Sequence, residues 1–262
     1  MKKIIAIVFL QFALIAVNAQ DMSNVYRLVE EVTLKDGISQ EEYENFEAFW
    51  KTVKDMHIKE GKLMGWFLWK MDPSSNDGNP WADYLIVNVF ANKAQMDEMM
   101  SKPEQWWVKD VQVAHKGKTK RSIVKKYTKE TLENKYRAKS VTYTNKGLAA
   151  YLKEGLAPEV GTKGDYIGIE QLNDDYVGFE TNHFAPWHKK SDTRLYWELN
   201  EIVDRTENAY QPVTHMIFEI LNPEKSYDGM TFSFTDQMMS KYGQASRKMH
   251  GAMTGELVHF SW

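Results

Sequence analysis

The pattern of apolar and polar residues near the start of the chain predicts a strand followed by a long helix. Residues 25–35 alternate in polarity and are rich in β-branched residues, which is typical of a strand. Ser39 and Glu42 then match the capping box S-x-x-E, in which side chains satisfy free amides at a helix start. The apolar residues that recur at helical spacing after this cap are Tyr43, Phe46, Phe49, Trp50, Val53 and Met56.

The pattern that follows predicts a complete β-α-β-β-α-β unit. Two apolar stretches at residues 63–71 and 82–91 predict strands, and helical spacing returns over residues 94–114. Residues 122–127 are predicted as a closing strand. This order of elements is that of a ferredoxin-like unit, which we assign to residues 20–130.

The remainder of the chain predicts a second ferredoxin-like unit, at residues 165–262. Trp197 and Ile217 follow Trp66 and Ile86 at one common offset, which aligns the second and third strands of the two units. We therefore expect an α+β protein whose tandem units place their antiparallel sheets face to face in one pseudo-dimeric barrel.

The rest of the second unit and the segment before it are less regular. In the first strand, aligning Tyr26 with Tyr166 also aligns Glu30 with Glu170. Residues 131–164 are predicted as a connecting segment with a short helix at 147–154, although the second unit could also begin at Ser140. The unit's first helix, at residues 177–193, contains Pro186, which is expected to break or kink it. Its last helix is predicted near residues 235–253, and its last strand at residues 256–262.

Residues 1–19 have the pattern of a secretory signal peptide. Lys2 and Lys3 precede a short apolar stretch, and Val17-Asn18-Ala19 matches the small-x-small pattern before a cleavage point. The apolar stretch is shorter than the roughly 20 residues that span a bilayer. We therefore expect an exported protein, periplasmic or extracellular, without a membrane span. We also expect no lipid anchor, because no cysteine follows the predicted cleavage point.

Composition removes several classes of function. The net charge of −3 provides no basic surface for nucleic acid. The chain has no cysteine, which excludes disulfide scaffolds, zinc–thiolate sites and thiol nucleophiles. Its 9 Trp, 13 Tyr and 12 Phe suit both a core and an aromatic pocket.

The sequence resembles the dimeric α/β-barrel superfamily, and within it the NIPSNAP-type and antibiotic-biosynthesis-monooxygenase-like branches. The residues that carry this resemblance are Tyr26-Arg27-Leu28 with Leu34, His57-Ile58-Lys59-Glu60-Gly61, Leu63-Met64-Gly65-Trp66 and Tyr84-Leu85-Ile86-Val87. The resemblance implies a pocket between two facing sheets. Members of the superfamily include oxygenases, haem enzymes and small-molecule binders, so the resemblance implies one of these functions. The fold alone does not show which one.

Strand alternation selects candidate pocket residues. The uniformly apolar set Leu85, Val87 and Val89 is predicted to lie under the helices, so the alternate residues are expected to face the barrel interior. The predicted ligand-binding residues are Tyr26, Glu30, Trp66, Tyr84, Asn88, Glu170, Trp197 and Glu219. An aromatic lining with few polar groups is typical of a small-molecule pocket. A partnered position for Glu30 and Glu170 on a solvated edge is the alternative.

Histidines are the candidate catalytic residues. His57 lies on the apolar stripe of the first helix, where it could ligate haem, act as a base or simply bond within the core. His183 and His215 are the other candidates. His183, His188 and Asp192 have no metal-binding spacing, so no metal site is predicted.

These observations support three hypotheses. The leading one is an exported protein that binds a hydrophobic or aromatic small molecule between its sheets. The second is an oxygenase or haem-using enzyme, and the third is a non-enzymatic envelope protein with an exposed aromatic patch that includes Trp106, Trp107 and Trp187. A tandem pair can close one barrel as a monomer, and a homodimer through the outer faces is the alternative.

Overall fold

The computed structural model describes residues 20–76 and 81–262, and the predicted signal peptide lies outside them. The strands are β1 (Gln20–Asp21), β2 (Tyr26–Leu34), β3 (Gly65–Met71), β4 (Tyr84–Phe90), β5 (Arg137–Leu152), β6 (Lys163–Gln171), β7 (Arg194–Arg205), β8 (His215–Leu221) and β9 (Arg247–Ser261). The helices are α1 (Gln40–Lys59), α2 (Lys93–Met100), α3 (Glu104–His115), α4 (Arg121–Leu132), α5 (Tyr176–Phe179), α6 (Ala185–Ser191) and α7 (Phe234–Ala245). Over these described ranges, none of the helices is long and apolar enough to cross a membrane.

Antiparallel pairing closes strands β2 to β9 into one barrel. The strand order is β5-β2-β4-β3 in the N-terminal half and β9-β6-β8-β7 in the C-terminal half. Pairing of β3 with β9 and of β5 with β7 joins the halves at two seams. The α+β class and the antiparallel barrel are therefore confirmed, and the barrel closes within a single chain.

Buried apolar side chains lie both inside the barrel and beneath the helices of each half. The barrel core takes residues from both halves, among them Val29, Trp69, Leu85, Tyr166 and Met216. The first helix layer packs α1 on the N-terminal strands through residues that include Tyr43, Phe46, Trp66, Tyr84 and Ile86. The second helix layer includes Tyr176, Ala185, Trp197, Leu199 and Ile217. Each central strand is therefore buried on both faces.

The predicted orientation of the strands is wrong, because the face expected under the helices lies inside the barrel. Leu85 and Val87 face the barrel core, whereas Tyr84 and Ile86 face the first helix layer. Alternation alone could not show which face is inside, because both faces carry apolar residues. The uniformly apolar face is the inner one, since it meets the apolar face of the other half.

The common offset between the second and third strands of the two halves is confirmed by register. Leu68 pairs with Ile86, and the residues at the same offset, Leu199 and Ile217, also pair. The first strands do not follow the predicted alignment. Ile86 pairs with Glu30, whereas Ile217 pairs with Ile167 and not with Glu170. The error is three residues, and an odd shift moves a residue to the other face of its strand.

Two predicted elements are wrong, one at the end of the first unit and one in the connecting segment. Residues 122–127 belong to α4 and not to a strand, because Val124 and Tyr127 repeat at helical spacing. Residues 147–152 of the predicted connecting segment continue β5 and do not form a helix. Pairing of β5 with β2 and β7 overrides the helical preference of Leu148-Ala149-Ala150.

The helices of the second half also differ from the prediction. Pro186 does not break the helical run, because a wider π turn at Glu180–Phe184 precedes it. The last helix ends at Ala245, and β9 begins at Arg247 rather than at residue 256.

The predicted start of α1 is confirmed, since the Ser39 hydroxyl accepts a hydrogen bond from the Glu42 amide.

Candidate functional site

A cavity of about 280 Å³ lies inside the barrel and is called the barrel cavity. Strands of both halves contribute its apolar wall through Val29, Phe67, Leu85, Val87, Met216 and Phe218. Such a volume, enclosed by apolar and aromatic side chains, is close to that of ordinary small-molecule pockets. The predicted pocket between the sheets therefore exists, but the odd-numbered side chains of β4 line it.

A buried polar cluster interrupts the apolar wall of the barrel cavity. The Arg27 guanidinium lies 2.6 Å from Glu198 Oε2 and donates to Asn200 Oδ1 at 2.8 Å. Asn200 and the Tyr196 hydroxyl also donate to the Glu198 carboxylate. Burial alone lowers the pKa of Arg27, but Glu198 raises it above its ordinary value, so the guanidinium stays charged.

Asn145 gives the barrel cavity a hydrogen-bond acceptor. Its side chain is 1% exposed, and its Nδ2 donates to Met216 Sδ at 3.6 Å. Its Oδ1 has no hydrogen-bond partner in the described part of the chain. A buried acceptor left unpaired costs about 1–3 kcal/mol, so a ligand O–H or N–H that reached it would be favoured.

A second hollow, the first cleft, lies between the N-terminal strands and α1 and has a volume of about 420 Å³. The predicted residues Glu30, Trp66 and Asn88 line it, so they face the helices and not the barrel interior. Arg137 lies 2.6 Å from Glu30 Oε1, and Lys54 Nζ donates to Asn88 Oδ1 at 2.9 Å.

A third hollow, the second cleft, lies between the C-terminal strands and helices α6 and α7 and has a volume of about 330 Å³. The predicted residues Trp197 and Glu219 line it, and Glu219 accepts from Arg194 Nε at 2.7 Å. Glu180 pairs with Arg247 in its wall. Burial raises the pKa of Glu180 to about 7, although Arg247 opposes this shift. The second cleft thus holds an acid–base group poised near neutral pH.

The other predicted ligand-binding residues lie outside these hollows. Tyr26 packs against the first helix layer, and the Tyr84 hydroxyl donates to Glu44 Oε1 at 2.9 Å. Glu170 lies 2.6 Å from His250 Nε2, so it has a partner on the neighbouring strand β9.

The three candidate catalytic histidines are held in the protein core. His57 is 0% exposed, and its Nε2 lies 2.9 Å from Asp110 Oδ2. His183 Nε2 lies 3.3 Å from Ser240 Oγ, and His215 Nδ1 lies 2.9 Å from Thr214 Oγ1. None of the three lines one of the hollows formed by the described residues. Of the three roles considered for His57, a histidine that is hydrogen-bonded within the core agrees with this geometry.

Comparison with known proteins identifies the fold. No family model and no curated protein match the chain. The solved structure of a candidate monooxygenase from Lactobacillus acidophilus NCFM is similar, with a TM-score of 0.51, 12% identity, and coverage of 91% of this chain and 96% of that one. One from Fusobacterium nucleatum has a TM-score of 0.54, 10% identity, and coverage of 91% and 94%. The chain has the dimeric α/β-barrel fold.

The dimeric α/β-barrel fold raises the question of haem, and the second cleft offers a histidine for it, although the two arginines there are already paired. His188 lines the second cleft, where its Nδ1 lies 2.9 Å from the Tyr227 hydroxyl. Arg194 and Arg247 in this cleft are both paired with glutamates, so they offer no spare positive charge to haem carboxylates.

Sequence reasoning missed the polar residues that distinguish the barrel cavity of this dimeric α/β-barrel protein. Arg27 interrupts an apolar strand, and a charged residue inside such a strand is a recognisable signal of a buried partner. Asn145 is not recognisable as a pocket residue from the pattern, because the sequence predicts a connecting segment where β5 lies. Glu198 and Asn200 alternate with the apolar residues of β7, so the correct face would have revealed both.

Proposed function

We propose that this chain binds a hydrophobic or aromatic small molecule in the barrel cavity, between the sheets of its two halves. The observation that carries the proposal is the unpaired Asn145 Oδ1 in a wall where the Arg27–Glu198 cluster is paired within itself and most other side chains are apolar. The favoured ligand is a flat apolar molecule with one hydroxyl or amine donor. It is uncharged, because Glu198 already neutralises Arg27.

A calorimetric titration with 1-naphthol and naphthalene tests this proposal. The wild-type protein should bind 1-naphthol more tightly, by about tenfold if one hydrogen bond adds about 1.4 kcal/mol. Asn145→Leu should remove the preference and keep naphthalene binding. Equal affinity of the wild-type protein for the two compounds would count against the role of Asn145.

A filling substitution tests the location. Val87→Trp should occupy the barrel cavity and abolish binding of both compounds. Val113→Trp is the matched control, because Val113 is 52% exposed on α3 and should leave binding unchanged. Binding that survived Val87→Trp would place the ligand elsewhere.

We also propose that the barrel consists of two tandem ferredoxin-like units in one exported monomer. In each half the fourth strand pairs with the first, the first with the third, and the third with the second, which is the ferredoxin-like order. The pattern of residues 1–19 supports export to the periplasm or beyond, without a lipid anchor. Intact-mass analysis should find a mature protein that begins at Gln20, and light scattering should separate a monomer from the alternative homodimer.

An oxygenase that acts in the second cleft is the second candidate function. It is supported by the fold shared with two candidate monooxygenases and by Glu180, which is suited to accept a proton from a phenol. With hydroquinone as the probe, an oxygen electrode should record uptake that Glu180→Gln abolishes and the surface variant Glu60→Gln preserves. Uptake independent of Glu180 would contradict this candidate.

The envelope-interaction alternative has less support. Trp106 and Trp107 are partly buried and contact each other at a ring distance of 5.0 Å in the first half. Trp187 stacks on Phe232 at 4.7 Å in the second half. These three rings do not form the contiguous exposed patch that this hypothesis requires.

A further inference from the structure

Lys54 directs its amine into the first cleft. The side chain leaves α1 toward the sheet, where Nζ donates to Asn88 Oδ1 at 2.9 Å. Trp66, Ile86 and Trp107 supply apolar surface in the same cleft, and the Trp107 ring centroid is 5.8 Å from Nζ. The amine therefore stands beside the apolar side of a hollow that is large enough for an aromatic molecule and carries charged groups on its other side.

A donor without a partner lies on Trp66, which lines the same cleft. Trp66 is 0% exposed, and its Nε1 has no hydrogen-bond partner in the described residues. An indole N–H can only donate, so a ligand oxygen is the group that would satisfy it. A carbonyl compound brings such an oxygen together with a carbon that an amine can attack.

Burial of Lys54 leaves a fraction of the amine neutral near physiological pH. Burial lowers the pKa of Lys54 to about 8, although Glu47 and Glu30 oppose this shift. Both glutamates are paired with Arg137, at 3.0 and 2.6 Å, and this arginine itself disfavours the protonated amine. The other titratable residues that line the cleft are Glu104, Glu130, Lys135 and Tyr136. His57 lies outside the cleft, and burial together with the charge of Lys54 lowers its pKa.

We propose that Lys54 captures an aromatic aldehyde or ketone in the first cleft by forming an imine. The neutral amine attacks the carbonyl carbon, and a C–N bond forms as the C=O π bond breaks. The carbonyl oxygen then leaves as water with the two protons of the amine, and the C=N bond forms. No oxidant or reductant takes part, and the Trp66 N–H stabilises the oxygen on which negative charge develops.

Reductive trapping of the full-length mature protein tests this proposal. Benzaldehyde and sodium cyanoborohydride would convert an imine into a stable secondary amine, which peptide mapping by mass spectrometry locates. Lys54 should be labelled at least about tenfold faster than Lys51 at pH 8. Only the neutral amine reacts, and the lowered pKa of Lys54 makes its neutral fraction larger at this pH. Lys51 is the matched control on the same helix, where it pairs with Asp55 at 3.1 Å.

Variants and pH separate this chemistry from simple exposure. Lys54→Arg should lose the fast label and keep the slow label on Lys51, while Trp66→Phe should slow labelling of Lys54. The labelling rate should rise with a midpoint near the Lys54 pKa of about 8. Labelling that follows exposure, with Lys51 equal to or faster than Lys54, would overturn the proposal. An unchanged rate in a folded Trp66→Phe variant would overturn the role of the indole.

Discussion

The Arg27–Glu198 pair in the wall of the barrel cavity provides the sharpest stability prediction. Both side chains are less than a tenth exposed, and the closest oxygen is 2.6 Å from the guanidinium. Arg27→Met keeps much of the apolar stem but leaves the Glu198 carboxylate without its cation. Breaking a buried ion pair costs about 3–5 kcal/mol. Since Tyr196 and Asn200 still donate to Glu198, we expect a loss near the lower limit, about 3 kcal/mol.

Urea unfolding followed by tryptophan fluorescence measures this loss. Glu198→Gln and the double variant complete a cycle, and the coupling energy between the two side chains should be about 2 kcal/mol. Lys51→Met is the control, because it breaks an exposed pair with Asp55 and should cost less than about 0.5 kcal/mol. If Arg27→Met cost no more than Lys51→Met, the reasoning on buried charge would be refuted.

Three further predictions concern local packing and protonation. Burial raises the pKa of Glu31 from 4.5 to about 7, so the folded state keeps a proton and loses stability as pH rises through this range. Glu31→Gln should therefore be more stable than wild type at pH 8, by up to about 3 kcal/mol in urea unfolding, and an equal pH dependence would contradict this. Ser39→Ala should lower the free energy of unfolding by about 1 kcal/mol in the same assay, because the cap of α1 is lost. An unchanged free energy of unfolding would contradict the role of this cap. Gly243→Ala should lower the melting temperature by overpacking, since its Cβ would lie 2.6 Å from a Phe184 ring carbon; an unchanged temperature would contradict the packing.

Much of the fold could be predicted because helix caps and periodicity are local signals. The cap at Ser39 and the common offset that relates Leu68 and Ile86 to Leu199 and Ile217 are both present in the structure. The strand β5 was missed because long-range pairing, and not local preference, makes it a strand.

The candidate site was harder to predict because each strand is buried on both faces. Trp66 and Asn88, which are predicted to face the barrel interior, line a hollow under α1 instead. Which face meets the other half depends on the closure of the whole barrel, and a single strand carries no record of that. Asn145 could not be selected until β5 was recognised as a strand.

The most direct test of the account is a crystal structure of the protein with 4-bromo-1-naphthol, with the bromine located by its anomalous scattering. We expect a bromine peak inside the barrel, among Val29, Val87 and Met216, with the ligand hydroxyl donating to Asn145 Oδ1. A bromine peak confined to the first or second cleft, with the barrel cavity free of ligand, would contradict it.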